Sequence, residues 1–301
     1  MAELSLFEQQ SDRLWGIAYR ITGSVADADD AVQETWLRWQ GLPDGDVIDP
    51  RAYLTTVISR ICYDQLGSAR ARRESYIGPW LPEPVLTDAG PEDRVTLDES
   101  VGMAMLTVLE RLTPAERTAF ILHDVFAVPF PEIAEVVGRT PDAVRQLASR
   151  ARRHVRAEAP RRSVDPDEHR RAVEAFLAAV MGGDLEALLE ILHPDVVWRS
   201  DGGGKVTAAR LPVVGQDKVA RFVQGLLRSF DLATVRLAVH EVNGATGVVL
   251  SAPAGSLPGG AVGARGMVFA FTVDGGRIAE INAVINPDKL RHLDFGGGTG
   301  V

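Results

Sequence analysis

The chain changes its hydrophobic period once, near residue 165, and that change limits the folds open to it. Up to about residue 157, apolar side chains recur at the spacing of helices packed on helices. Asp165-Pro166-Asp167-Glu168 then gives a helix-start signal and marks a boundary. Beyond it come two short helices (about 168–181 and 184–192), the stretch HPDVVWRS, a glycine loop and a helix near 215–229. The strand-like runs TVRLAVHEV, TGVVLSA, GMVFAFTV and RIAEINAVI follow, with VDGGR as a hairpin turn. Helices first and strands afterwards predict an all-α half followed by a separate α+β domain. A chain of 301 residues, 46% hydrophobic, can bury a core in each half and is not mainly disordered.

The helical half divides again. Residues 1–75 carry helical periodicity, with GLPDGD (41–46) as a loop and Asp49-Pro50 opening a long helix. Residues 76–94, YIGPWLPEPVLTDAGPEDR, hold four prolines and read as a linker. Residues 95–160 return to helix, and Thr113-Pro114-Ala115-Glu116 is a capping box with proline at the first helical position. The α+β domain is expected over 166–290, and 291–301 as a flexible tail.

Net charge is −9, from 32 basic and 41 acidic side chains, so the chain is no uniformly basic nucleic-acid coat. The basic charge is local and almost all arginine: Arg139, Arg145, Arg150, Arg152, Arg153, Arg156, Arg161 and Arg162 fall in one short stretch, opposed there by Asp142 and Glu158. Arg70, Arg72 and Arg73 form an earlier cluster. Such islands suit phosphate backbones, although a solvated helix face has the same composition. A single cysteine, Cys62, excludes an internal disulfide and a cysteine-rich zinc site and fits a reducing cytoplasm. No metal-ligand spacing is present. The N-terminal stretch has no basic start followed by an apolar run, and no membrane span is expected.

Three helical faces carry the functional signal. Phe130–Arg150, FPEIAEVVGRTPDAVRQLASR, has the pattern of a helix-turn-helix: Ala134 at the helix crossing, Gly138 at the turn, and Thr140 with Pro141 starting the second helix. Val144, Leu147, Ala148, Ala151 and Val155 form its inward stripe. Asp142, Arg145, Gln146, Ser149, Arg150 and Arg153 face outward, where they can meet base edges and phosphates. A plain helical hairpin is the alternative. In 51–66, Leu54, Val57, Ile58 and Ile61 point inward, while Tyr53, Thr56, Arg60 and Tyr63 point outward and lead into the arginine cluster. Aromatics interleaved with arginine suit unstacked bases, though exposed tyrosines also occur on ordinary helices. In 27–40, Ala28, Val32, Trp36 and Trp39 point inward, and Asp30, Gln33, Glu34 and the apolar Leu37 outward, which hints at a protein partner.

Together these stretches resemble the bacterial extracytoplasmic-function sigma factors. DADDAVQETWLRW (27–39) and DPRAYLTTVISRICYDQL (49–66) look like sigma region 2. Residues 109–156 look like sigma region 4. The resemblance implies that Asp30, Gln33, Glu34 and Leu37 dock on core RNA polymerase. It implies that Tyr53, Thr56, Arg60, Tyr63, Arg70, Arg72 and Arg73 meet the −10 element, and that Asp142, Arg145, Gln146, Ser149, Arg150 and Arg153 read the −35 element of promoter DNA. Residues 168–290 resemble the SnoaL-like cone fold of a sigma-factor group in which WLPEP (80–84), DGGGK (201–205) and NPDKL (286–290) recur. That likeness implies a regulatory face between the extra domain and the sigma core, built from Trp80, Leu81, Pro82, Asp201, Gly202, Gly203, Gly204, Lys205, Asn286, Pro287, Asp288, Lys289 and Leu290. Here Asp201 and Lys205 are expected on an exposed loop, and Asp288 and Lys289 at the stiff, charged end of the last strand.

The expected function is a promoter-specific initiation factor regulated in cis, with no cofactor and no catalysis of its own. Two other readings stay open. The C-terminal domain could be an enzyme or a small-molecule receptor, with His193, Asp195 and His240 as its acid–base groups. A helix-turn-helix repressor or activator independent of polymerase would leave residues 1–75 without a task.

Overall fold

The computed structural model describes residues 2–43, 45–74, 76–87, 102–158, 165–231, 233–253, 256–257 and 265–295. The chain forms two compact units. The first comprises residues 1–74, 90–101 and 105–159; the second comprises 75–89, 102–104 and 160–301.

The first unit is all helical. Helices α1 (Ala2–Thr22), α2 (Val25–Gln40) and α3 (Pro50–Glu74) pack on one another. The Ser24 hydroxyl starts α2 by accepting the Asp27 amide, which satisfies one of the donors that a helix start leaves unpaired. Leu14, Ile17 and Ile21 of α1, Ala28 and Ala31 of α2, and Leu54, Ile58 and Cys62 of α3 are buried. Next come α4 (Met103–Leu109), α5 (Pro114–Phe120), a π-helical turn (Ile121–Val125), α6 (Phe130–Val137) and α7 (Pro141–Glu158). Helix α5 has the complete capping box, Thr113 and Glu116 each closing on the other's backbone. Gly138 ends α6 at φ +64°, a conformation that costs glycine little and bulkier residues more, and Thr140 accepts the Ala143 amide as α7 begins. The helix-turn-helix is thus formed where its pattern lies.

The second unit opens with α8 (Pro166–Gly182) and α9 (Leu185–Ile191). Strands β1 (Leu192–Asp201) and β2 (Val213–Val214), helix α10 (Gln216–Leu227), and strands β3 (Arg236–Val242), β4 (Ala245–Ser251), β5 (Gly266–Asp274) and β6 (Arg277–Val284) follow. A short 3₁₀ turn covers Pro287–Leu290. The sheet runs β2-β1-β6-β5-β4-β3, with β1 parallel to β6 and the other pairs antiparallel. Gly275 and Gly276 form the β5–β6 hairpin with positive φ, as VDGGR predicts.

Both sheet faces are apolar, for different reasons. Phe269 and Phe271 of β5 join Phe176, Val223 and Trp198 in a core beneath the helices. Val268 and Ala270 point the other way, into a second cluster with Leu81 of the linker, Met103 and Leu290. A strand covered on both faces has no reason to alternate, so GMVFAF is a continuous apolar run.

Two expectations need correction. Asp201, expected on an exposed loop, is the last residue of β1 and fully buried, because the linker covers it. Lys289 follows the last strand as expected, in the 3₁₀ turn, and is 5% exposed there. Residues 291–295 are not a free tail either: Leu293 and Phe295 pack on the second cluster, and His292 Nε2 lies 2.8 Å from the Pro84 carbonyl. Residues 296–301 of that tail, linker residues 88–94, and Arg161 and Arg162 lie outside the described residues.

Candidate functional site

In the second unit, the three short motifs converge on one carboxylate. Asp201 Oδ1 accepts the Tyr76 hydroxyl at 2.5 Å, and Oδ2 accepts the Leu81 amide at 2.8 Å and Lys289 Nζ at 2.7 Å. Lys289 also donates to the Leu81 carbonyl and lies 3.5 Å from the Trp80 ring centroid, a close cation–π contact. Asn286 donates to the Tyr76 hydroxyl at 2.8 Å and caps the 3₁₀ turn through the Asp288 amide. Burial, and then the neighbouring Asp201 charge, raise the Tyr76 pKa, so the phenol stays protonated and donates. At the rim Asp288 pairs with Lys205 and Arg291, and the Lys205 hydrogen bond is the main cause holding its carboxyl below the usual range.

The glycines of DGGGK have a steric reason. Gly203 (φ +59°) and Gly204 (φ +70°) are in the left-handed region. A β-carbon on Gly203 would overlap the Asn286 amide, and one on Gly204 would come within 2.8 Å of Ile77 Cδ1. Further along, the linker pairs with the end of β3: Leu86 bridges Val242, Thr87 donates to the Glu241 carbonyl at 2.8 Å, and Asn243 donates to the Val85 carbonyl at 2.8 Å. Sequence reasoning found WLPEP but missed Tyr76, Asn243 and Met103. Only the Asn243-Gly244 turn dipeptide left a trace, and it speaks for a hairpin rather than a contact.

In the first unit, Asp30, Gln33, Glu34 and Leu37 all face outward on α2, with Leu37 60% exposed. On α3 the faces also fall as expected, but less openly. Tyr53, Thr56 and Tyr63 are half-buried, and exposed Arg60 donates to the Glu135 carbonyl of α6 at 3.1 Å. Arg70, Arg72 and Arg73 lie on α3, with side chains outside the described set. On α7, Asp142, Arg145, Gln146, Ser149, Arg150 and Arg153 are exposed, opposite buried Val144, Leu147, Ala148, Ala151 and Val155. Arg145 pairs with Asp142, and Arg150 lies 3.8 Å from Glu116.

Residues 6–72 match the Sigma-70 region 2 family, 102–155 Sigma-70 region 4, and 173–281 the SnoaL-like domain. The chain is 46% identical over 298 residues to the ECF RNA polymerase sigma factor SigJ of Mycobacterium tuberculosis, covering 96% of this chain and 93% of that protein. The chain belongs to the ECF RNA polymerase sigma factors. The probable ECF RNA polymerase sigma factor SigI of the same organism is 37% identical over 287 residues, covering 94% of this chain and 93% of that protein. The crystal structure of SigJ superposes with a TM-score of 0.77 at 41% identity, covering 96% of this chain and 98% of that one. Proteins of this family bind core RNA polymerase and promoter DNA and direct initiation; this sigma factor carries regions 2 and 4 with a SnoaL-like domain fused C-terminally.

The SnoaL-like domain of this sigma factor also holds a small cavity between its helices and sheet, about 60 Å³, lined only by apolar residues, among them Phe176, Trp198, Val223 and Leu237. His193, Asp195 and His240 do not line it. His193 instead accepts the Asp195 amide at 3.2 Å, within β1. Among the described residues no cluster of His, Cys, Asp and Glu could hold a metal ion, and no helix is long and apolar enough to cross a membrane.

Proposed function

We propose that this chain is a cytoplasmic initiation factor whose SnoaL-like domain controls it in cis by holding the linker between regions 2 and 4. In this reading Asp30, Gln33, Glu34 and Leu37 dock on the polymerase. Tyr53, Thr56, Arg60, Tyr63 and the arginines at 70, 72 and 73 meet the −10 element, and the outward face of α7 reads the −35 element. The observation that carries the regulatory part is the buried Asp201–Lys289 pair, closed on both sides by linker atoms of Tyr76, Trp80 and Leu81. Residues held on the domain are unavailable to the tether between the two DNA-binding regions. The domain therefore sets how far those regions can part. Control of this kind needs a free-energy difference between docked and released states, which the shared carboxylate supplies.

The SnoaL-like domain acts here as a regulator without turnover, since the candidate acid–base groups stay out of its cavity. A small-molecule ligand, if the domain takes one, is small and apolar, because the lining offers no polar partner and a desolvated charge there would go unpaired. Run-off transcription with bacterial core polymerase, on the promoter region upstream of the chain's own gene, tests the account. Full-length protein should yield promoter-dependent transcript, and Lys289→Met should change its amount. Failure to bind core polymerase would refute the polymerase assignment.

A further inference from the structure

A second cleft of the SnoaL-like domain, about 260 Å³, differs in chemistry from the apolar cavity. Its walls come from the loop after β1 and from Ile77 and Gly78 of the linker. Two cations, Lys205 and Arg210, line it together with Thr207 and Gly204, and all four residues are exposed.

The charges at this cleft do not cancel. Asp288 pairs with both Lys205 and Arg291, so one carboxylate serves two cations. Arg210 has no carboxylate partner among the described residues. Lys205, Arg210, Arg291 and Asp288 together therefore carry two positive charges in excess. The loop backbone adds a donor. The Gly202 carbonyl accepts the Lys205 amide at 3.0 Å and the Val206 amide at 3.2 Å, while the Gly204 amide between them has no backbone acceptor among the described residues. Ile77 lies beside these groups and is 52% exposed, an apolar surface left open on the linker wall.

A guanidinium fork, an ammonium and a free amide suit a doubly charged oxyanion that accepts from several donors at once. A single carboxylate would leave part of the excess charge unmatched, and a cation would be repelled. Ile77 adds a preference for an apolar body on the ligand.

We propose that this cleft binds a small phosphomonoester, its phosphate on Arg210, Lys205 and the Gly204 amide and its apolar body on Ile77. One wall is domain and the other is linker, so the complete site exists only while the linker is docked. A ligand that binds this form alone shifts the equilibrium toward it by the factor 1 + [L]/Kd. The inference rests on the linker control proposed above and names a ligand class for it.

The test uses the full chain with phenyl phosphate and with inorganic phosphate at matched ionic strength. Titration calorimetry reads the site, and protease cleavage near Trp80 reads the linker. Phenyl phosphate should bind saturably at one site, more tightly than inorganic phosphate, and at ten times its Kd should slow cleavage about tenfold. Arg210→Gln should weaken both ligands about tenfold and reduce the slowing at that concentration to about twofold. Ile77→Ser should bring phenyl phosphate down to the affinity of inorganic phosphate. Absence of saturable binding at millimolar phenyl phosphate would overturn the site, as would equal binding by Arg210→Gln or saturation that leaves cleavage unchanged. Neither readout involves polymerase. A chain that binds phenyl phosphate and is protected by it, yet gives unchanged run-off transcript, contradicts control in cis and leaves the site standing.

Discussion

Lys289 is the residue whose loss should cost most in the second unit. It is nearly buried, and replacing it with methionine leaves the Asp201 carboxylate in a dry site with no cation. Breaking a buried pair from one side costs about 3–5 kcal/mol, whereas removing both charges costs far less. Urea unfolding should therefore find Lys289→Met strongly destabilised and the Asp201→Asn, Lys289→Met double variant largely recovered; an additive double variant would contradict the pairing. His169 of α8 offers a pH test. Its Nε2 faces the Phe271 carbonyl at 3.1 Å, and a carbonyl only accepts, so Nε2 carries the proton. Burial lowers its pKa, so the folded state favours the neutral ring. The stability it contributes is present above the unfolded value of about 6.5 and is lost as pH falls from there through the lowered folded value. Thermal melts between pH 7 and pH 5 should show this loss, and His169→Gln, which keeps a donor but cannot titrate, should flatten the curve. Cys62 lies in the α3 core with its thiol pKa pushed up, first by burial and then by the Asp27 charge. Its alkylation should follow global unfolding, and rapid labelling of the native protein would refute that.

At the scale of elements, the helix-turn-helix and the DGGGK loop make distinct claims. Arg153→Ala, on the outward face of α7, should weaken promoter binding and reduce the salt dependence by about one counterion. An unchanged slope across a salt series would remove Arg153 from the phosphate contacts. Gly203→Ala combines a strained positive φ with overlap on Asn286, and should loosen the linker as seen by protease cleavage near Trp80. Much of this was legible beforehand, because capping boxes, the αL glycine and hairpin dipeptides act over a few residues. The amphipathic faces of α2, α3 and α7 also follow from periodicity alone. What periodicity could not reveal was the burial of Asp201 and Lys289. A charged residue in a glycine-rich or proline-flanked stretch ordinarily marks a solvated turn, and only long-range pairing with the linker makes it an interior group. The packing of Leu293 and Phe295 was hidden for the same reason, since a glycine-rich end gives no local sign of the sheet face it covers.

For the whole molecule, the period change near residue 165 divides the chain by chemistry: helical modules suited to polymerase and DNA, then a sheet domain with two apolar faces. One of those faces is sealed by the chain's own linker, through Leu81 and Leu86, so the domain is completed by a segment that also tethers regions 2 and 4. In the proposed function this double use joins regulation to architecture. It could not be read from either segment separately, because the linker's apolar residues find their partners more than a hundred positions away. As proposed, this ECF sigma factor initiates transcription under control of linker docking. The most direct test compares run-off transcript from the full chain, Gly203→Ala and Lys289→Met, each with the same core polymerase and promoter. Promoter-dependent transcript is expected from the full chain, with a shift in the same direction for both variants at equal polymerase binding. Equal transcript from all three, despite a demonstrably released linker, would contradict it.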